Sequence, residues 1–185
     1  MLKQSISKFF KKLKLTNDAR YIANNIRVDS KKAIALSRRD NFKEVKKLFN
    51  NINNNFKNFN KIAKQESSII YESFYSEAVE EYIEAVYFFE FLNNNKINIP
   101  KYIKITPEQV IAGVCDFTGE LVRKSINLAD VKNFKLLNNF YQTIDKIAED
   151  LTRIGLRGKL RQKYDEVERN LKHMEQILYD IRLKK

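Results

Sequence analysis

Turn-forming residues are scarce in this chain. Its 185 residues include 4 glycines and 2 prolines. An all-β protein needs such residues every few positions, and a doubly wound α/β fold needs glycine-rich phosphate turns, so the sequence argues against both. A single cysteine excludes an internal disulfide framework and a cysteine-based zinc site. A single histidine excludes histidine metal clusters and argues against a Ser-His-Asp triad. No run of about 18 apolar residues is present to span a membrane, so the expected location is the cytoplasm. There is no glycine-rich phosphate loop and no zinc signature.

What the chain does contain is charge and apolar residues. Hydrophobic residues make up 43% and aromatics 12%, enough for one domain over residues 1–185 with a real core. The formal net charge is +12, which implies a polyanionic partner or, more plainly, a solubility device in a lysine-rich proteome. The charge is uneven. Residues 1–65 hold 17 basic and 4 acidic side chains, whereas residues 66–95 hold 7 acids and no lysine or arginine. An all-acidic window inside a basic chain implies cations brought from elsewhere in the fold, or a bound metal ion.

Helical periodicity runs through almost the whole sequence. Residues 2–14 place Leu2, Ile6, Phe9, Phe10 and Leu13 on one stripe, expected to dock on the protein body, with a membrane-surface or targeting helix as the alternative. Residues 17–39 form a second helix. Asp40 is placed to cap a third, whose stripe of Phe42, Val45, Phe49, Ile52, Phe56, Phe59 and Ala63 continues straight through the asparagine-rich stretch. Residues 67–93 read as one aromatic-rich helix ending at Asn93-Asn94-Asn95. Thr106-Pro107-Glu108-Gln109 then carries a helix-start signature. Further helices are expected from about Asp130 to Ile154 and from 159 to 182, the last with Leu160, Tyr164, Val167, Leu171, Met174, Leu178 and Ile181 inward. The sum is an all-α bundle of seven helices.

Two carboxylate pairs stand out. Glu81 and Glu84 are three residues apart in EEYIEAV, and Asp116 and Glu120 are four apart in GVCDFTGEL, so each pair shares a helical face. If those helices are neighbours, four carboxylates converge and need a cation such as Mg²⁺, which takes oxygen ligands and keeps its waters. The plain alternative is two wet faces, with Gly113, Asp116, Glu120, Arg123 and Asn127 on one stripe. Gly113 and Gly119 cost helix stability and suggest a close approach by a neighbour or ligand. Candidate phosphate contacts are Arg27, Lys31, Lys32, Arg38 and Arg39 on the second helix, Arg123, and Arg157, Lys159, Arg161 and Lys163 near the last helix. Cys115 and His173 read as structural.

These motifs carry a family resemblance. EEYIEAV followed by GVCDFTGELVRKSIN resembles the signature helices of translin-associated factor X. IRVDSKKAIALSRR resembles a basic segment of that family, and LRQKYDEVERNLKHMEQILYDIR is similar to the end of translin. The resemblance implies a seven-helix protomer assembled into a hollow homo-oligomer, usually an octamer, that binds single-stranded RNA or DNA inside. It implies an Mg²⁺-dependent endoribonuclease, with Mn²⁺ as a substitute ion. By motif, Glu84 and Glu120 match the metal ligands, while Glu81 and Asp116 complete the catalytic acidic site. One departure is clear. Where translin has a basic, histidine-containing strip this chain reads YESFYSEAV, so contacts to nucleic acid must come from elsewhere. A non-catalytic nucleic-acid-binding shell is the competing function.

Overall fold

A computed structural model describes residues 1–129 and 133–183, excluding the side chains of 127 and 129. Among these residues there are six α-helices, one short 3₁₀ turn and no strand: α1 (Leu2–Arg38), α2 (Phe42–Ala63), the 3₁₀ turn (Ser67–Tyr71), α3 (Ser73–Leu92), α4 (Pro107–Ala129), α5 (Phe134–Thr152) and α6 (Gly158–Leu183). The all-α expectation holds. The expected start of α5 at Asp130 lies outside the described residues. No helix is long and apolar enough to cross a membrane.

The chain divides into two units, Met1–Gln109 and Val110–Lys185. In the first, α1 packs against both α2 and α3. Its buried face is Ala19, Ala23, Ile26, Ser30, Ala33, Ile34 and Ser37. These are mostly small residues, which let helix backbones approach closely. The α2–α3 seam is built differently. Phe42, Phe49 and Phe56 recur every seven residues on α2, and Tyr75, Tyr82 and Phe89 recur every seven on α3. The two columns run antiparallel. Phe42 meets Phe89 at 5.8 Å, Phe49 meets Phe89 at 5.3 Å, Phe56 meets Tyr82 at 5.1 Å and Phe59 stacks on Tyr75 at 4.4 Å. This seam explains why α2 runs unbroken through its asparagines: buried aromatic area outweighs the few tenths of a kcal/mol that each asparagine costs in propensity.

Three expectations for this unit are corrected. Residues 2–14 and 17–39 are one continuous helix. Its apolar stripe changes phase: Leu2, Ile6, Phe9, Phe10 and Leu13 point about a third of a turn away from the Ala19–Ser37 face, at ~100° per residue. That shift imitates a boundary in the sequence, although the backbone needs none. It also leaves the first stripe undocked, with those five residues 44–74% exposed. Secondly, Asp40 does not cap α2. Asn41 is the N-cap residue, while Asp40 takes a left-handed conformation (φ 58°) in the preceding turn. Thirdly, the helix expected over 67–93 is split. Ser68 donates its N–H and hydroxyl to the Glu66 carboxylate, which is held below the usual carboxylate range by these bonds. Such local bonding competes with helix continuation, giving a 3₁₀ turn before α3.

The two helix-end signals near the connector stand. Asn94 adopts φ 54° after α3, and Asn95 N–H reaches back to the Glu90 carbonyl at 2.9 Å. At the start of α4, Thr106 N–H donates to Gln109 Oε1 at 2.9 Å and Gln109 N–H donates to Thr106 Oγ1 at 3.3 Å. This is a reciprocal capping box.

In the second unit α5 and α6 pack through Leu137, Leu178 and Ile181, flanked by Phe134, Tyr141 and Ile177. Asn133 caps α5 by accepting Leu136 N–H at 3.2 Å. Gly158 opens α6 at φ +56°, a conformation that side-chain-bearing residues rarely adopt. His173, read from the sequence as structural, is exposed on α6.

Candidate functional site

α3 is so apolar that its few acids are conspicuous. Ten of its residues are buried, and among them is one acid, Glu80. Glu80 is not surface charge. It accepts Ser76 Oγ at 3.0 Å, and Ser76 Oγ in turn accepts Gln109 Nε2 at 3.2 Å, which ties α3 to the capping box. The solvent edge of α3 carries Glu77, Glu81 and Glu84 at spacings of four and three, one helical face.

That face meets cations of α1. Arg27 pairs with Glu77 at 2.8 Å and Lys31 with Glu81 at 3.5 Å. The partners are four apart on both helices, so the pairs are successive rungs between helices running in the same direction. Two residues nominated for phosphate contact, Arg27 and Lys31, therefore serve the acidic face. Glu84 is half-buried.

In the second unit, α4 carries Asp116 and Glu120 on one face. Glu120 is 3% exposed, and its Oε1 accepts Arg123 Nη1 at 2.6 Å. Lys163 of α6 donates its ammonium to both oxygens of Asp116, and both side chains are largely buried. Lys163 stands at a spacing of three from Leu160 and four from Val167, so it falls on the inward stripe of α6. That position was the signal separating it from the solvated lysines around it. Beside this pair, burial first and the Asp116 charge second push the Cys115 thiol up to about 12. At neutral pH it is a buried thiol without nucleophilic character.

Lys32 lies 3.7 Å from Asp29, and Arg161 pairs with Asp165 at 2.8 Å while lying over the Tyr164 ring. Arg157 is exposed in the turn before α6, and Arg38 is half-buried at the end of α1. Gly119 does not secure a close approach. An added Cβ there meets only Asn170 Nδ2, at an ordinary 3.6 Å, and Asn170 donates to Thr118 Oγ1 at 2.8 Å. Gly119→Ala should therefore stabilise the protein by about 0.5–1 kcal/mol, through helix propensity. A denaturant midpoint lower than that of the wild type would contradict this.

Among the described residues, no three His, Cys, Asp or Glu side chains gather as a ready-made metal cage. Each unit offers a pair of carboxylates on one helix face. An Mg²⁺ ion needs only one or two direct carboxylates, with water filling its other positions.

Comparison with known proteins gives a consistent assignment. The model of the Translin family matches residues 3–185. No curated protein matches. Among solved structures, apo-NeC3PO aligns with TM-score 0.85 at 20% identity, over 97% of this chain and 96% of its own. AfC3PO aligns with TM-score 0.86 at 18% identity, over 100% of this chain and 99% of its own. AfC3PO in complex with duplex RNA aligns with TM-score 0.73 at 18% identity, over 100% and 98% of the two chains. At such identities the likeness establishes the fold.

Proposed function

This chain belongs to the Translin family, and from that premise we propose that it is an Mg²⁺-dependent endoribonuclease working inside a shell of its own copies. The observation that carries the proposal is the make-up of the acidic motifs. Glu81, Glu84, Asp116 and Glu120 supply oxygen donors alone, which suits Mg²⁺ and accommodates Mn²⁺. In this reading Glu84 and Glu120 hold the ion, and Glu81 and Asp116 complete the site. When bound, the ion acidifies a water and offsets the charge that builds up on the phosphodiester. The chain's own groups do the rest. Glu81 and Asp116 accept hydrogen bonds from water and set its direction. Arg123 beside Glu120, and Lys163 on Asp116, lower the negative charge that an approaching phosphate meets.

AfC3PO has been solved with duplex RNA, which supports RNA as the ligand class here. We assign single-stranded RNA as the substrate, with single-stranded DNA as a second ligand, and the cytoplasm as the site of action. The undocked apolar stripe of Leu2, Ile6, Phe9, Phe10 and Leu13 supports self-association, and we propose the family's octamer. One observation favours a second reading. Lys31, Arg123 and Lys163 already neutralise Glu81, Glu120 and Asp116, as salt bridges would in a non-catalytic RNA-binding shell.

Labelled single-stranded and duplex RNA, incubated with Mg²⁺ or with chelator, separate the readings: cleavage confined to the Mg²⁺ samples supports the nuclease. The net charge of +12 adds a binding prediction. Affinity for single-stranded RNA should fall about a thousandfold between ~50 and ~200 mM salt, the loss expected for roughly six phosphate contacts. Binding that is absent at low salt, or indifferent to salt, removes the electrostatic basis of the proposal.

A further inference from the structure

A cavity of about 700 Å³ opens in the first unit, where the last turns of α2, the 3₁₀ turn and the connector after α3 come together. Its size is that of a small-molecule site. Lys57 and Lys61 line it from α2 and Lys64 from the C-cap of that helix, at spacings of four and three that put them on one face, and Lys104 lines it from the connector. Ile70 and Tyr102 supply apolar wall. The wall is built rather than incidental, because Asn60 Nδ2 donates to the Tyr102 carbonyl at 2.9 Å and fastens the connector to α2. Lys57 Nζ sits 5.8 Å from the centroid of the Tyr102 ring.

No lining residue of this cavity is acidic. The nearest acid in sequence, Glu66, is occupied by Ser68 in the 3₁₀ turn. Lys61 and Lys64 have an ordinary use, since they lie at the C-terminal end of α2 and offset its dipole. That use does not account for Lys57, further from the helix end, or for Lys104 on another segment. Lys61 Nζ donates to Asn58 Oδ1 at 3.2 Å, a neutral partner, so the four lysines lining the cavity carry positive charge that no lining acid offsets, which favours an anion there. A fatty acid brings one negative charge, whereas a phosphate monoester brings up to two and several acceptor oxygens. An aromatic ring in the wall adds a surface on which a planar base stacks.

We propose that this cavity binds a nucleoside monophosphate, with the phosphate among Lys57, Lys61, Lys64 and Lys104 and the base against Tyr102. The ligand is either the free nucleotide or the 5′-phosphorylated end of an RNA strand. The site stands apart from the carboxylate chemistry, because it uses none of Glu81, Glu84, Asp116 or Glu120.

The test is calorimetry on the full chain with uridine monophosphate, inorganic phosphate, uridine and laurate as separate probes. The expected result is saturable binding of uridine monophosphate, one per chain, tighter than any other probe. Tyr102→Leu should weaken it about tenfold, the loss expected of one stacked base. Lys61→Gln with Lys64→Gln should weaken it by about tenfold or more, through lost charge-assisted hydrogen bonds. Both variants change exposed side chains, and an unchanged melting curve confirms that they fold. The Glu84→Gln, Glu120→Gln variant should bind the nucleotide as the wild type does, whatever happens to cleavage. A preference for 5′-phosphorylated over 5′-hydroxyl RNA that vanishes in the lysine variant identifies the strand end. RNA binding untouched by that variant identifies the free nucleotide. No binding at millimolar nucleotide, equal affinity for inorganic phosphate, or tighter binding of laurate would overturn the proposal.

Discussion

Replacing Glu84 and Glu120 together by glutamine is expected to lower RNA cleavage by about a hundredfold or more, the scale of losing the groups that hold a catalytic ion. Glutamine keeps the size and polarity of each side chain and removes the charge. Glu120 is 3% exposed, so its replacement must fit the same buried volume, which the amide does. Its partner Arg123 is largely solvent-exposed and keeps its charge hydrated once the carboxylate is gone. The fold and the RNA affinity should therefore survive, and affinity should rise slightly because negative charge facing phosphate has been removed. Light scattering should show the same assembly for variant and wild type. Glu90→Gln is the control. It lies six residues beyond Glu84, on another face of α3, and accepts a hydrogen bond from Asn95 at 2.9 Å. Equal cleavage by the wild type and the double variant would end the nuclease reading. Loss of folding in the double variant would support the second reading, in which these carboxylates are structural partners of the basic helices.

The largest effect on stability should come from the aromatic seam. Phe56 is fully buried and meets both Tyr75 and Tyr82. Phe56→Ala removes a ring that bridges two rings of the facing column, where neither helix can close the gap without breaking the other ring contacts. The expected cost is about 3–5 kcal/mol, read from denaturant unfolding. Phe10→Ala, which removes a ring of the same size from the undocked stripe of α1, should change the stability of the isolated chain by less than about 0.5 kcal/mol. A cost below about 1 kcal/mol for Phe56→Ala would mean that the seam does not hold α2 and α3 together.

The contrast between those two phenylalanines shows where sequence reading stops. Both sit on clear helical stripes, and periodicity alone assigns both to the interior. Only the phase between stripes separates them, and phase matters only once a partner helix has a position. The same limit applies to charge. The run of acids from Glu66 to Glu90 implied cations from elsewhere, but not that Lys31 would take Glu81 or that Lys163 would take Asp116. Ion-pair partners are chosen by which helices pack side by side, and for Lys31 and Glu81 that choice is made by the small-residue face of α1, which packs against α3.

The sequence by itself determined the helical class, the course of α2 through its asparagines, the capping box at Thr106, the stop at Asn93-Asn95 and the two carboxylate motifs. Each is a local property, written in a period of 3.6 residues or in bonds spanning three or four positions. Tertiary structure alone decided which of the two apolar faces of α1 is buried, that Arg27 and Lys31 meet Glu77 and Glu81, and that Lys163 meets Asp116. Those outcomes depend on contacts between residues tens of positions apart. A one-dimensional pattern does not specify such contacts until burial of the apolar faces has fixed which helices are neighbours.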